Sequence, residues 1–121
     1  RFLVAKECGV HQNYKNKVLK ANDIATMSTG KRLGHPVRSI KNPYTKEYFK
    51  LEYSDISDEE LEAYGRGSLY RAAVEGDEKT GCFLAGQIAG MVNKEQTAKE
   101  IIEEIFTQAE DVLKGATKWV K

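Results

Sequence analysis

The stretch Gly81-Cys82-Phe83-Leu84-Ala85-Gly86-Gln87-Ile88-Ala89-Gly90-Met91-Val92 sets three glycines and two alanines among large apolar residues, with one amide, Gln87, in the middle. Small residues at 85, 86, 89 and 90 leave no bulk on that side. Another surface, either a packed element or a flat ligand, can then approach the backbone closely. The other residues with chemical potential are isolated. Cys8 and Cys82 lie far apart in the chain, and His11 and His35 stand alone. A disulfide framework needs a denser pattern, and a zinc site needs CxxC or HxxxH spacing. The expectation is two buried, reduced thiols and no metal.

The chain has 121 residues, 40% hydrophobic and 31% charged, the profile of one soluble globular domain. No apolar run reaches the roughly 18–20 residues that span a bilayer, so no membrane association is expected. A basic-then-apolar export leader is not seen either, and with the reduced cysteines this points to a cytoplasmic protein. The net charge of +1 hides a division: residues 1–50 hold 11 Lys/Arg against 3 Asp/Glu, and residues 51–121 hold 8 against 15. Such a split means that the halves face each other or that the basic half meets an acidic partner. Its basic residues are scattered and no aromatic-interleaved RNA-binding motif occurs, so nucleic acid is not expected. Arg1-Phe2-Leu3-Val4-Ala5 starts in full apolar stride, where termini are usually polar, and is read as the start of a fragment.

The elements that position these residues follow from periodicity and punctuation. Phe2-Leu3-Val4-Ala5 is an unalternated apolar run, as in a strand buried on both faces. A short helix is predicted over His11 to Ala21, with Tyr14, Val18 and Leu19 on one face. Ile24–Thr29 and Pro36–Ile40 read as extended pieces separated by a turn at Gly30 and Gly34. Asn42 at the N-cap and Pro43 at N1 start a helix that carries Tyr44, Tyr48 and Leu51 on its apolar face. Ser57 and Glu60 form a capping box, with Ile56 and Leu61 at the staple positions, and predict a helix to about Val74. Gly65 and Gly67 weaken it by about 1 kcal/mol each. Asn93 with Gln96 three residues on is read as the cap of the last helix. That helix bears the stripe Ala98, Ile101, Ile102, Ile105, Phe106, Ala109, Val112 and Leu113, ends at Gly115, and lets Trp119 clip the tail to the core.

Four motifs then occur in order: Arg1-Phe2-Leu3-Val4-Ala5-Lys6-Glu7; Gly34-His35-Pro36-Val37-Arg38 with Lys41-Asn42; Ala73-Val74-Glu75-Gly76-Asp77; and Ala85-Gly86-Gln87-Ile88-Ala89-Gly90. Together they resemble the C-terminal third of the flavin-dependent enoyl-acyl-carrier-protein reductase II family, close kin to the nitronate monooxygenases (2-nitropropane dioxygenases). The resemblance implies an α/β fold: the C-terminal fragment of a (β/α)8 TIM barrel, its last strand and closing helices, with an inserted α+β cap subdomain. Residues 1–21 would be the end of barrel strand eight and the following helix, 22–80 the cap, and 81–121 the flavin-proximal loop and C-terminal barrel helices.

By the same resemblance the activity is reduction of the enoyl double bond of an acyl-carrier-protein thioester, in fatty-acid synthesis, with FMN as cofactor and NADH or NADPH as reductant. Arg1 looks like the third residue of the family's Gly-Thr-Arg-Phe motif, and Arg1, Ala85, Gly86 and Gln87 are the expected flavin-contacting residues. Gln87 either bonds the flavin or satisfies a buried carbonyl. His35 and Arg38 are the expected substrate-binding residues; His35 equally suits a structural turn, and Arg38, like Lys41, equally suits solvent. No catalytic residue is expected within these residues, which alone should bind FMN poorly and catalyse nothing. The expected partners are acyl carrier protein or a small-molecule substrate, the rest of the barrel chain, and a second copy in a homodimer. Nitronate oxidation is the near alternative. A small helical protein-interaction module, docking an acidic protein through its basic half, is the alternative from another class.

Overall fold

A computed structural model describes residues 1–119. It divides into two compact units, Gly9–Asn93 and Arg1–Cys8 with Lys94–Lys121. No helix among the described residues is long and apolar enough to cross a membrane.

In the Gly9–Asn93 unit, helix α1 (Gln12–Leu19) is capped by His11, whose Nδ1 accepts from the Asn13 N–H at 3.1 Å, and it buries Tyr14 and Val18. Strands β1 (Thr26–Thr29) and β2 (Val37–Ile40) pair antiparallel, Thr26 opposite Ile40 and Thr29 opposite Val37. The turn between them needs its glycines. Gly30 and Gly34 both take positive φ, and a Cβ on Gly30 would meet the His35 carbonyl oxygen at 2.6 Å. On its other side β2 accepts a short extended piece. Ser39 bridges Leu84, Ile40 N–H donates to Phe83 O at 2.8 Å, and Ala85 N–H donates to Arg38 O at 3.1 Å. The segment that contains Gly86 is therefore hung from the sheet.

Helix α2 (Pro43–Glu52) begins as its punctuation predicts, and its cap does more than cap. Asn42 is 4% exposed; its side chain accepts from Thr45 N–H at 2.9 Å and donates to the carbonyls of Gly81 at 2.7 Å and Glu78 at 3.1 Å. One amide thus starts a helix and holds the approach to the small-residue segment. Asn42→Ala is expected to cost about 3 kcal/mol, the loss of a cap plus buried carbonyls left without donors, read as a shift in urea midpoint.

Helix α3 (Asp58–Gly65) carries the Ser57/Glu60 capping box. It does not run to Val74. The chain breaks at Arg66 and at Gly67, whose φ of +74° is left-handed, then resumes as α4 (Ser68–Tyr70) and a π-turn over Arg71–Glu75. Leu61, Tyr44, Tyr48 and Cys82 form a buried cluster, and Tyr64 stacks on Tyr44 at 5.4 Å with the rings 2° apart. Burial pushes the Tyr44 phenol up to about 12, and raises the Cys82 thiol also.

In the other unit the expected strand over Phe2–Ala5 is a single 3-10 turn, Phe2–Val4. Val4 N–H donates to Arg1 O and Ala5 N–H to Phe2 O, and Val4 and Ala5 are buried. These i to i+3 bonds use the donors that a strand would offer sideways, and no described residue pairs with the run as a strand would. Helix α5 (Ala98–Ala116) is capped at Thr97, not Asn93. Thr97 Oγ1 accepts from Glu100 N–H and Glu100 Oε2 accepts from Thr97 N–H, while the Glu7 carboxylate accepts from Ala98 N–H at 2.9 Å. The helix continues through Gly115, and Trp119 is 87% exposed, so it clips nothing. Cys8 is only half-buried; both thiols are free, as expected. The apolar stripe is present, with Ile101 buried, but Phe106, Val112 and Leu113 are each more than 70% exposed.

Candidate flavin-facing hinge

Ala85 is held by Arg38 O, Gly86 is extended (φ −73°, ψ 171°), and Gln87–Met91 make a 3-10 turn closed by Ala89 N–H to Gly86 O at 3.1 Å. Ala89 and Val92 turn inward and are buried; Gly86, Gln87, Ile88 and Met91 face out. The two glycines have different reasons to exist. A Cβ on Gly90 would lie 2.8 Å from the Asn22 carbonyl carbon and 2.9 Å from Asp23 N, so Gly90 is required by its packing on that loop. A Cβ on Gly86 would meet only Ile88 Cγ2, at 4.0 Å, among the described residues. Its φ suits any residue. The fold of these residues therefore leaves Gly86 free to be larger, and bare main chain is presented outward there.

Beside it lies a concavity of about 360 Å³ lined by Asp23, Gln87, Ile88, Gly90 and Met91. Ile88 and Met91 supply an apolar wall, 65% and 75% exposed, and Gln87 the amide. This arrangement fits a flat, mostly apolar ring with polar edges: an open face of main chain, an apolar flank and one hydrogen-bonding side chain. Asp23, Ile88 and Met91 were missed by the sequence reading. Asn22-Asp23 reads there only as a helix breaker, and the spacing of Ile88 and Met91, one 3-10 turn apart, was the available signal.

The other expected residues are placed as follows. Arg1, in the unit with α5, donates from Nη2 to Gln96 Oε1 at 2.8 Å and Glu104 Oε2 at 2.7 Å. Glu104 also pairs with Lys94 at 3.0 Å. The bonds from Gln96 and Lys94, then Arg1, hold its carboxyl down at about 2 against an ordinary 4.5. A depressed folded value means the contribution is complete above about 4.5 and is lost as pH falls from there through about 2. Glu104→Gln is expected to flatten the acid limb of the melting-temperature profile across that window, measured by circular dichroism. Arg38 is exposed and donates from Nη1 to Thr26 Oγ1 at 3.1 Å, with its own carbonyl bound to Ala85. His35, also exposed, lines a different hollow of about 200 Å³ with Tyr44, Tyr48, Ser68, Leu69 and Cys82. The structure thus brings Arg38 beside the Ala85 end of the hinge, and puts His35 on a separate cavity.

The profile of the nitronate monooxygenase family matches residues 1–108. Among solved structures, FabK from Thermotoga maritima is similar at 34% identity, with a TM-score of 0.93 over 99% of this chain and 38% of its own. A mutant of the same protein gives 32% identity and a TM-score of 0.83, over 99% and 35%. The chain belongs to the nitronate monooxygenase family. It has an α/β fold with helices and a two-stranded sheet, and it spans about 38% of the length of the FabK chain that it matches.

Proposed function

We propose that this chain is part of an FMN-dependent oxidoreductase that reduces the enoyl double bond of an acyl-carrier-protein thioester with NADH or NADPH, in the cytoplasm. The observation that carries this reading is the 34% identity and 0.93 TM-score to FabK, taken with the four motifs that resemble the enoyl-acyl-carrier-protein reductase II family. Family membership across residues 1–108 favours it over a small helical interaction module. On this reading residues 1–21 leave the last strand of a (β/α)8 barrel, 22–80 form the cap, and 81–121 return to the barrel mouth and close it. The exposed Phe106, Val112 and Leu113 of α5 are then covered by the rest of the longer chain.

When bound and reduced by NADH or NADPH, FMN would supply the hydride chemistry for the enoyl double bond. The chain's own part is positional. Ala85 and Gly86 would offer main chain to the flavin ring, and the Gln87 amide would hold it by a hydrogen bond. Ile88 and Met91 would shield the bound ring from water. Arg38, beside Ala85, would attract an anionic arm of the substrate, and Arg1 is the further residue expected to contact the flavin. His35 contacts substrate from its own hollow.

Full-length protein assayed with crotonyl thioester plus NADH, and with propionate-3-nitronate plus oxygen, tests the reading. Turnover of the nitronate with the thioester untouched would replace it by nitronate oxidation, the reading that the matched family's name favours.

A further inference from the structure

Two adjoining concavities of about 450 and 700 Å³ open on the Gly9–Asn93 unit and share Lys17, Lys41 and Glu78. The first also holds Lys20, and the second Lys46, Lys50 and Lys79, with Glu47 as the other carboxylate. Both carboxylates are engaged: Glu78 pairs with Lys17 at 3.1 Å and Glu47 with Lys50 at 3.3 Å. Lys41 is engaged too, donating to Ile24 O at 2.7 Å. The ammonium groups of Lys20, Lys46 and Lys79 are exposed and have no partner among the described residues. Six lysines against two glutamates leave a surplus of positive charge around the same hollows. Such a field attracts an anionic counterpart and raises its encounter rate.

Position says what the counterpart meets. Asn22 and Ile24 line the first hollow, and Asp23, between them, lines the concavity beside Gln87. One loop is therefore the common rim of the lysine face and the hinge. Carboxylates fit this face better than a phosphate backbone. Neither lining holds an aromatic ring on which a base would stack or an arginine fork for two-point phosphate contact, and Glu47 and Glu78 interrupt the positive run. Lysines are mobile point charges that tolerate irregularly spaced carboxylates. We propose that the face carrying Lys20, Lys46 and Lys79 docks an acidic protein that presents its cargo to the Gln87 hinge. Resting on the reading above, that protein is the acyl carrier.

The test is the full-length protein bearing K20E/K46E/K79E, compared with the wild type and with K20Q/K46Q/K79Q. The KM for a carrier-bound enoyl thioester is expected to rise about tenfold or more in the charge-reversed protein, and less in the neutralised one. The N-acetylcysteamine thioester of the same acyl chain should keep its kcat and KM, which also shows that the variant is folded. An unchanged carrier KM, or equal loss on both thioesters, overturns the proposal. If the wild type reduces neither thioester, the reductase reading fails separately, and docking is then judged by fluorescence anisotropy of labelled acyl carrier. Salt-sensitive binding that the reversal abolishes supports it, and no binding overturns it. Binding of an RNA oligonucleotide, lost on reversal while carrier binding persists, overturns it as well.

Discussion

Gly86→Val is expected to weaken FMN binding by the full-length protein about ten- to a hundredfold and to leave the melting temperature of the flavin-free protein nearly unchanged. The two halves of that result have separate causes. Within these residues a Cβ at 86 meets only Ile88 Cγ2 at 4.0 Å, and φ of −73° with ψ of 171° is extended backbone that valine adopts readily. Folding therefore has little reason to object. If main chain at 86 lies against a ring, the added isopropyl group occupies the ring's place, and overpacking of that kind costs about 1–3 kcal/mol, where each 1.4 kcal/mol is about tenfold in affinity. Gly90→Ala is the contrasting control. Its Cβ runs into the backbone of Asn22 and Asp23, at 2.8 and 2.9 Å, so it should destabilise the protein by about 1–3 kcal/mol. Flavin fluorescence titration and thermal melts of both variants decide the matter. Unimpaired FMN binding by the valine variant would mean that nothing planar rests on Gly86.

Phe83→Ala is expected to cost about 4 kcal/mol of unfolding free energy, a large share of the roughly 5–15 kcal/mol that holds a domain together. Phe83 is 0% exposed, among the largest fully buried side chains. Tyr14 meets its ring edge-to-face at 5.0 Å, Lys17 lies over the ring at 5.2 Å, and its carbonyl accepts from Ile40 N–H. Removing the ring leaves a hole beneath Tyr14, whose hydroxyl is committed to Leu84 O at 2.8 Å and so resists collapsing inward. Burial here pushes the Tyr14 phenol up to about 12. Chemical denaturation monitored by circular dichroism measures the loss; a change under 1 kcal/mol would show that the site relaxes. Because Phe83 precedes the hinge by three residues, a partial loss of stability should also loosen flavin binding, and Tyr14→Phe separates the two by leaving the packing intact.

Much of this protein was legible in local chemistry. The Asn42-Pro43 start of α2, the Ser57/Glu60 box of α3 and the pair β1–β2 flanking Gly30 and Gly34 all appear where they were expected, because each depends on neighbours a few residues away. Four motifs in order were enough to name the family. The misreadings are of another kind. Gly65 and Gly67 were seen to weaken a helix, yet the left-handed turn at Gly67 broke it. Asn93 and Thr97 are both acceptable caps in isolation. The choice fell to Thr97 once Glu7, 91 residues away, took the Ala98 N–H and Lys6 N–H bonded Gln96 O.

The amino-acid order alone settled which segment is poor in side chains and that α5 has an apolar stripe, since composition and period are properties of neighbouring residues. Only the tertiary arrangement separated Gly90 from Gly86, letting Asn22 and Asp23 crowd one and nothing described crowd the other. It likewise set Arg38 against Ala85 and took His35 to a different hollow. Steric room at a backbone position is decided by atoms distant in the chain, and no local pattern records where those atoms will be.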